Sequence, residues 1–144
     1  MPPRKEKVFA YVTHGDRLLV FRHTMFPRAG IQIPGGTLRP GEDPVEGVLR
    51  EVAEETGLRR LDVTGLLGER DVRFPSGPQH WRFYHLRHTG ELHERWIWHE
   101  DDPSGGGESI EFELYWVQAS EGVPRLARGH AAFLDRVPLP DTTA

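Results

Sequence analysis

Gly36-Thr37-Leu38-Arg39-Pro40-Gly41-Glu42-Asp43-Pro44-Val45-Glu46-Gly47-Val48-Leu49-Arg50-Glu51-Val52-Ala53-Glu54-Glu55-Thr56-Gly57-Leu58 carries the chain from a glycine turn into a helix loaded with acid. Asp43 is a good N-cap, Pro44 suits the first helical position, and Glu46 completes an Asp-x-x-Glu capping box. Gly57 stands where a C-terminal cap belongs, so the signals predict a helix over residues 44–56. At about 100° per residue, Glu51, Glu54 and Glu55 share an arc of about 100°. Val45, Val48, Leu49, Val52 and Ala53 form a separate apolar stripe, expected to hold the helix on a sheet.

Three carboxylates within a turn of one another repel. Oxygen-only clusters suit hard divalent cations such as Mg²⁺ or Mn²⁺, and Arg50 is within reach of Glu46 and Glu54 at four residues' spacing. On spacing alone, a solvated acidic face with ion pairs explains the pattern equally well. Gly35-Gly36 leaves backbone free of side chains where a metal or phosphate can come close, and a tight strand-to-loop turn is its plainer reading.

Outward from this stretch, Val8–Val12 and Arg17–Phe21 flank His14-Gly15-Asp16 and read as a hairpin. A short strand is expected at Ile31-Gln32-Ile33, and further strands at 61–69, 81–88, 94–99 and 110–118. The pair around Thr89-Gly90-Glu91 reads as a hairpin, a second helix is expected from Gly129 to Arg136, and the tail from Pro138 is expected to fray. Asp101–Gly107 reads as a connector or a flap. Runs of strands with one central and one late helix make an α+β sandwich the natural class.

With 144 residues, 37% of them hydrophobic, the chain fits a single domain. The absence of cysteine excludes disulfides, thiolate zinc sites and cysteine nucleophiles, and suits a reducing cytoplasm. No run is long and apolar enough for a membrane span, and Met1–Lys7 has no signal-peptide character, so a cytoplasmic protein without membrane contact is expected. A net charge of −4 argues against a general nucleic-acid binder; for an anionic ligand it points to an intervening cation. Homodimerisation is left open.

Gly36, Glu42 and the run Arg50-Glu51-Val52-Ala53-Glu54-Glu55-Thr56-Gly57-Leu58 fill every fixed position of the Nudix box, G-x5-E-x7-R-E-U-x-E-E-x-G-U with U aliphatic. The chain resembles the Nudix hydrolases over residues 36–58, and elsewhere only in outline. The resemblance implies an α/β/α sandwich with a mixed sheet. It also implies divalent-metal-dependent hydrolysis of a nucleoside diphosphate linked to another group, water attacking phosphorus. Carried onto these positions, Glu51, Glu54 and Glu55 bind metal or activate water, Gly36 offers a backbone carbonyl to metal, Arg50 orients the glutamates, and Glu42 is structural or an outer metal residue. Glu51 is the preferred general base, and Glu111 on the 110–118 strand is a candidate further ligand.

A nucleotide needs an aromatic surface and cations. Phe74, Trp81, Phe83, Tyr84, Trp96, Trp98 and Trp116 offer the first, and Arg17, Arg22, Arg28, Arg70, Arg73 and Arg82 the second. Arg22 and Arg28, flanking the approach to Gly35-Gly36, are the chosen phosphate ligands, with Gly35 beside them. His80, His85, His88, His93 and His99 lack a ligand spacing and are expected at the surface. The downstream proline and tyrosine marks of several Nudix subfamilies are not matched around Arg73-Phe74-Pro75, so the resemblance leaves the nucleotide open. An RNA 5′-end pyrophosphohydrolase and a catalytically silent nucleotide-binding regulator are the alternatives.

Overall fold

Successive residues of a strand point to opposite faces, so an uninterrupted apolar run needs cover on both sides. Val8-Phe9-Ala10-Tyr11-Val12 is such a run, and it forms the middle of the sheet. The computed structural model describes residues 4–100 and 109–139. Its elements are β1 (Lys5–His14), β2 (Arg17–His23), β3 (Gly35–Thr37), α1 (Pro44–Thr56), β4 (Leu61–Phe74), β5 (Gly77–His88), β6 (Arg95–Glu100) and β7 (Ile110–Gln118). The strands make one mixed sheet in the order β4-β5-β1-β2-β7-β6, with β3 also paired to β1. Among the described strands, only the β1–β5 pair is parallel.

Val8, Ala10 and Val12 pack with Leu19, Leu114 and the α1 residues Val48 and Val52 on one face. Phe9, Tyr11, Leu18, Val20, Trp81 and Phe83 fill the other, covered by Ile33, Leu126 and Val137. The α1 boundaries are as predicted: Asp43 accepts the Glu46 amide at 3.1 Å, and Gly57 closes the helix in the left-handed region at φ 81°. The buried arc is rotated from the expected one. Val45 is exposed, whereas Glu51 and Glu55 are buried against the sheet, so the three carboxylates are not one solvent face.

Several sequence expectations are corrected. Ile31-Gln32-Ile33 is not a strand: Gln32 bridges Phe21 and Ile31 bridges Leu126, and Pro34, lacking an N–H, separates this strip from β3. No hairpin forms around Thr89-Gly90-Glu91. Both edges of β5 are taken, by β4 through the turn at Pro75-Ser76 and by β1, and β6 pairs with β7 instead. The expected second α-helix is a chain of three-residue turns ending in a 3-10 turn at Leu134–Arg136. A stretch of eight residues is too short to repay helix nucleation, and tertiary bonds fix it otherwise: the Tyr11 hydroxyl donates to the His130 carbonyl at 2.5 Å and accepts the Phe133 amide at 3.1 Å. The outer layer opposite α1 is therefore built of turns, and the α+β class stands. His85 and His88 are buried rather than at the surface. Asp101–Gly107 and the tail beyond Leu139 lie outside the described residues, within which no helix is long and apolar enough to cross a membrane.

Candidate active site

The site is assembled by three elements that meet at one end of the sheet. α1 lies over β1, β3 and β6. Two indoles of β6 fasten its C-terminal turn, where helix carbonyls lack partners: Trp96 Nε1 donates to the Thr56 carbonyl at 2.9 Å and Trp98 Nε1 to the Glu54 carbonyl at 2.8 Å. Gly57 is required there twice over, by its positive φ and by the Trp98 ring, 2.7 Å from where a Cβ would sit. Trp96, Trp98 and Glu100 alternate onto the same side of β6. Fixing the indoles therefore delivers Glu100 to the helix.

Glu51, Glu54 and Glu100 each bring a carboxylate oxygen to within 4.8 Å of the others. Glu51 and Glu100 are buried, and Glu54 is partly exposed at the rim. Burying carboxylates without neutralisation is unfavourable, and Arg50 supplies part of it. Its guanidinium donates to Glu51 Oε1 at 2.9 Å and Glu54 Oε2 at 3.1 Å, and grips both Glu42 oxygens at 2.7 and 2.8 Å. A fifth bond ties it to the Thr37 carbonyl at 3.2 Å. The paired fork holds the Glu42 carboxyl down at about 2 and raises the already high Arg50 value further.

The glycine pair makes room for this. A Cβ on Gly36 would collide with the Glu51 carboxylate, and one on Gly35 would sit 2.5 Å from the Val8 carbonyl and the Phe9 ring. The Gly35 amide donates to Glu55 Oε1 at 2.6 Å. Burial pushes the Glu55 carboxyl well above the usual carboxylate range; the Gly35 amide opposes the shift, and Glu100 and Glu51 add to it. Lys7 is held below its ordinary value, chiefly by burial.

Beside Gly35, Gly36 and Glu55 opens a cleft of about 550 Å³. Phe9, Trp81 and Phe74 form its aromatic wall, Lys7, Arg70 and Arg128 its cations, and Gln32, Gln79 and His130 its uncharged polar groups. Its volume is in the range of small-molecule sites. The Ile33 amide donates to His130 Nδ1 at 3.1 Å, and burial holds this imidazole neutral, its pKa pushed down to about 4.

Gly36, Arg50, Glu51 and Glu54 are thus brought together as expected, with Gly35 and Glu55 joined beside them. Three candidates are not. Arg22 pairs with Glu113 at 2.9 Å across β2 and β7, and Arg28 sits in the 3-10 turn Pro27–Ala29; neither lines the cleft. Glu111 accepts from Thr24 at 2.6 Å and pairs with His99 at 2.9 Å, apart from the glutamate cluster. Its alternation puts it on the side of β7 opposite Phe112 and Leu114, the two that pack with α1. The sequence reading missed Glu100, Lys7, Arg128 and His130. The alternation Trp96, Trp98, Glu100 was the available signal for the first.

The family model for the NUDIX domain matches residues 3–137. The chain belongs to the Nudix family. Among solved structures it is similar to a UDP-X diphosphatase, with a TM-score of 0.65 and 19% identity over 94% of this chain. The chain spans 61% of that protein's length. It is also similar to a MutT NUDIX hydrolase from Burkholderia pseudomallei, at TM-score 0.60 and 21% identity over 94% of this chain and 98% of the other. The Ap4A hydrolase of C. elegans gives TM-score 0.57 and 12% identity, over 93% of this chain and 91% of the other. No curated protein sequence matches the chain. At these identities the structural likeness establishes the Nudix fold, and the substrates in those names belong to those proteins.

Proposed function

We propose that the protein is a divalent-metal-dependent pyrophosphohydrolase of a small nucleotide, cleaving a phosphoric anhydride bond with water. The observation that carries this reading is the convergence of Glu51, Glu54 and Glu100 beside Gly36, opening onto a cleft with aromatic and cationic walls. The donor set fits Mg²⁺ or Mn²⁺: it offers oxygen ligands alone, in a cradle that a side chain at position 36 would fill. Glu51, Glu54 and Glu100 would hold the ion, with Glu55 and the Gly36 carbonyl beside them. Bound there, the ion neutralises the diphosphate and lowers the pKa of water.

The chain's own groups do the rest. Arg50 fixes the Glu51 and Glu54 oxygens, so their geometry is set before substrate arrives. Glu51 accepts the proton of the attacking water; the new P–O bond forms from that water as the bond to the bridging oxygen breaks, and the leaving phosphate keeps the bridging oxygen. Trp81 and Phe74 offer a planar surface to the base.

The test is product analysis with Mg²⁺ or Mn²⁺ across nucleoside di- and triphosphates, ADP-ribose, nucleotide sugars, dinucleoside polyphosphates and 5′-triphosphorylated RNA. Metal-dependent cleavage of a small nucleotide is expected. In Glu54→Gln it should fall by orders of magnitude with the fold intact, because Glu54 lies outside the apolar core. Unchanged turnover in a folded Glu54→Gln protein would overturn the mechanism, and cleavage confined to the RNA would replace the substrate class.

A further inference from the structure

Arg128 is the only non-glycine residue with a left-handed backbone among the described residues, at φ 58°, and Gly129 follows at φ 77°. Both ends of this turn are bolted to one strip of chain. The Ala127 amide donates to the Ile31 carbonyl at 2.8 Å, and the His130 ring accepts the Ile33 amide. Glycine would take the conformation at 128 without strain, whereas an L-residue is disfavoured there. Retained strain at a binding surface is a pointer to a role for the side chain, and Arg128 lines the cleft.

Its charge environment points the same way. Seven of the chain's sixteen arginines pair with carboxylates among the described residues, and Arg70 and Arg128 are not among them. Lys7, Arg70 and Arg128 line one cleft, and none of them has a carboxylate within salt-bridge distance among the described residues. Among the described residues, Glu55 is the sole acidic group in the cleft's lining. Arg128 also disfavours the charged forms of Lys7 and His130, so the cations repel one another. Three cations on one cleft, Arg128 and Lys7 repelling one another, in a chain of net charge −4, are complementary to a polyanion. On the reading above, the glutamate cluster would serve the scissile diphosphate, which leaves these cations for a further anionic group.

Resting on the pyrophosphohydrolase reading above, we infer that Arg128, with Lys7 and Arg70, forms a receptor for a phosphoryl group beyond the scissile pair. The substrate class is then a nucleotide bearing at least one additional phosphate, such as a nucleoside triphosphate, rather than a nucleoside diphosphate capped by a neutral sugar.

The experiment compares ATP with ADP-glucose and UTP with UDP-glucose, so that the base divides out, in the wild type and in Arg128→Gly. The wild type should favour each triphosphate at least about 10-fold in kcat/KM. Arg128→Gly should shrink that preference to within about threefold by raising KM for the triphosphates, and should keep or raise Tm because glycine relaxes the turn. Equal handling of both classes by the wild type, or an undiminished preference in Arg128→Gly, overturns the inference. So does a lowered Tm with unchanged KM, which marks a structural arginine. Calorimetric titration of inorganic triphosphate in EDTA supplies a readout without turnover, with binding at least about 10-fold weaker in Arg128→Gly. If the wild type cleaves neither class nor any other member of the nucleotide panel above, the hydrolase reading fails. The receptor still stands if the wild type binds inorganic triphosphate and Arg128→Gly does not, and falls if the wild type binds none.

Discussion

Replacing Gly36 by alanine adds one methyl group at the point where the structure has least room for it. The new Cβ would overlap the Glu51 carboxylate, with Oε1 only 2.6 Å away and Cδ and Oε2 nearer still. Ordinary contact between such atoms is about 3.5 Å, so the carboxylate must retreat by at least ~1 Å. It has little space to do so, because Glu51 is 1% exposed and Arg50 holds Oε1 at 2.9 Å. Overpacking of this kind costs about 1–3 kcal/mol of stability. A misplacement of about 1 Å in a catalytic group costs about 100-fold in rate, or about 2.7 kcal/mol of transition-state stabilisation. Gly36→Ala is therefore expected to melt several degrees below the wild type and to lose about 100-fold in kcat/KM under saturating Mg²⁺. Adding Glu51→Asp, which withdraws the carboxylate by one methylene, should restore Tm without restoring activity. Differential scanning fluorimetry and a phosphate-release assay on the same preparations read both effects. Turnover in Gly36→Ala within about threefold of the wild type would refute the reasoning, since it would mean that the observed Glu51 position is not the one catalysis uses.

Three further outcomes follow from the packing. Val48→Asp places a charge in the fully buried contact between α1 and the sheet and should leave no folded protein; a soluble variant with an unchanged melting curve contradicts the helix orientation. Tyr11→Phe removes the hydroxyl that ties residues 130 and 133 to β1, leaving a buried carbonyl and amide unpaired, and should cost roughly 2–4 kcal/mol in urea unfolding; a loss under about 0.5 kcal/mol would show that water replaces the tether. Because the folded His130 resists protonation down to about 4 while the unfolded chain takes up that proton near 6.5, stability present above pH 6.5 is lost as pH falls toward 4, by up to about 3 kcal/mol from this residue. His130→Asn should flatten the acid limb of a Tm–pH profile, and an identical limb in the variant would place the acid sensitivity elsewhere.

The parts of the fold legible in the sequence are those whose signals are local. Asp43, Pro44, Glu46 and Gly57 delimit α1 by chemistry within a few residues of each helix end, and β1 and β2 are joined by a turn of two residues. Long-range pairing was not legible. β5 looks ready to pair with whatever follows it, and only the parallel partner β1, 74 residues earlier, rules that out. The charged run Arg70-Asp71-Val72-Arg73 hid the end of β4, because its pairing with β5 is visible only once the two strands are aligned. The same limit governs the site. Glu51, Glu54 and Arg50 are helical neighbours and could be read together. Glu100 joins them through two tryptophan indoles and a sheet edge. Arg22 and Arg28 were chosen by their nearness in sequence to Gly35, yet β2 carries Arg22 to Glu113.

The parallel pairing of β1 has a consequence for how the protein comes into being on the ribosome. Every β1–β5 partner lies 74 residues downstream, and β2 meets partners 89 to 101 residues later. Two of the most buried strands are thus synthesised first and can satisfy one another only at their turn, from Thr13 to Leu18. The free edge of β1 stays open until β5 has emerged and that of β2 until residue 118 has, and at about 5–20 residues per second that is an exposure of several seconds. During that interval Val8–Val12 and Leu18–Phe21 are sticky, unpaired edges. The nascent chain is therefore expected to depend on holdase chaperones, and to aggregate when synthesis stalls between β5 and β7.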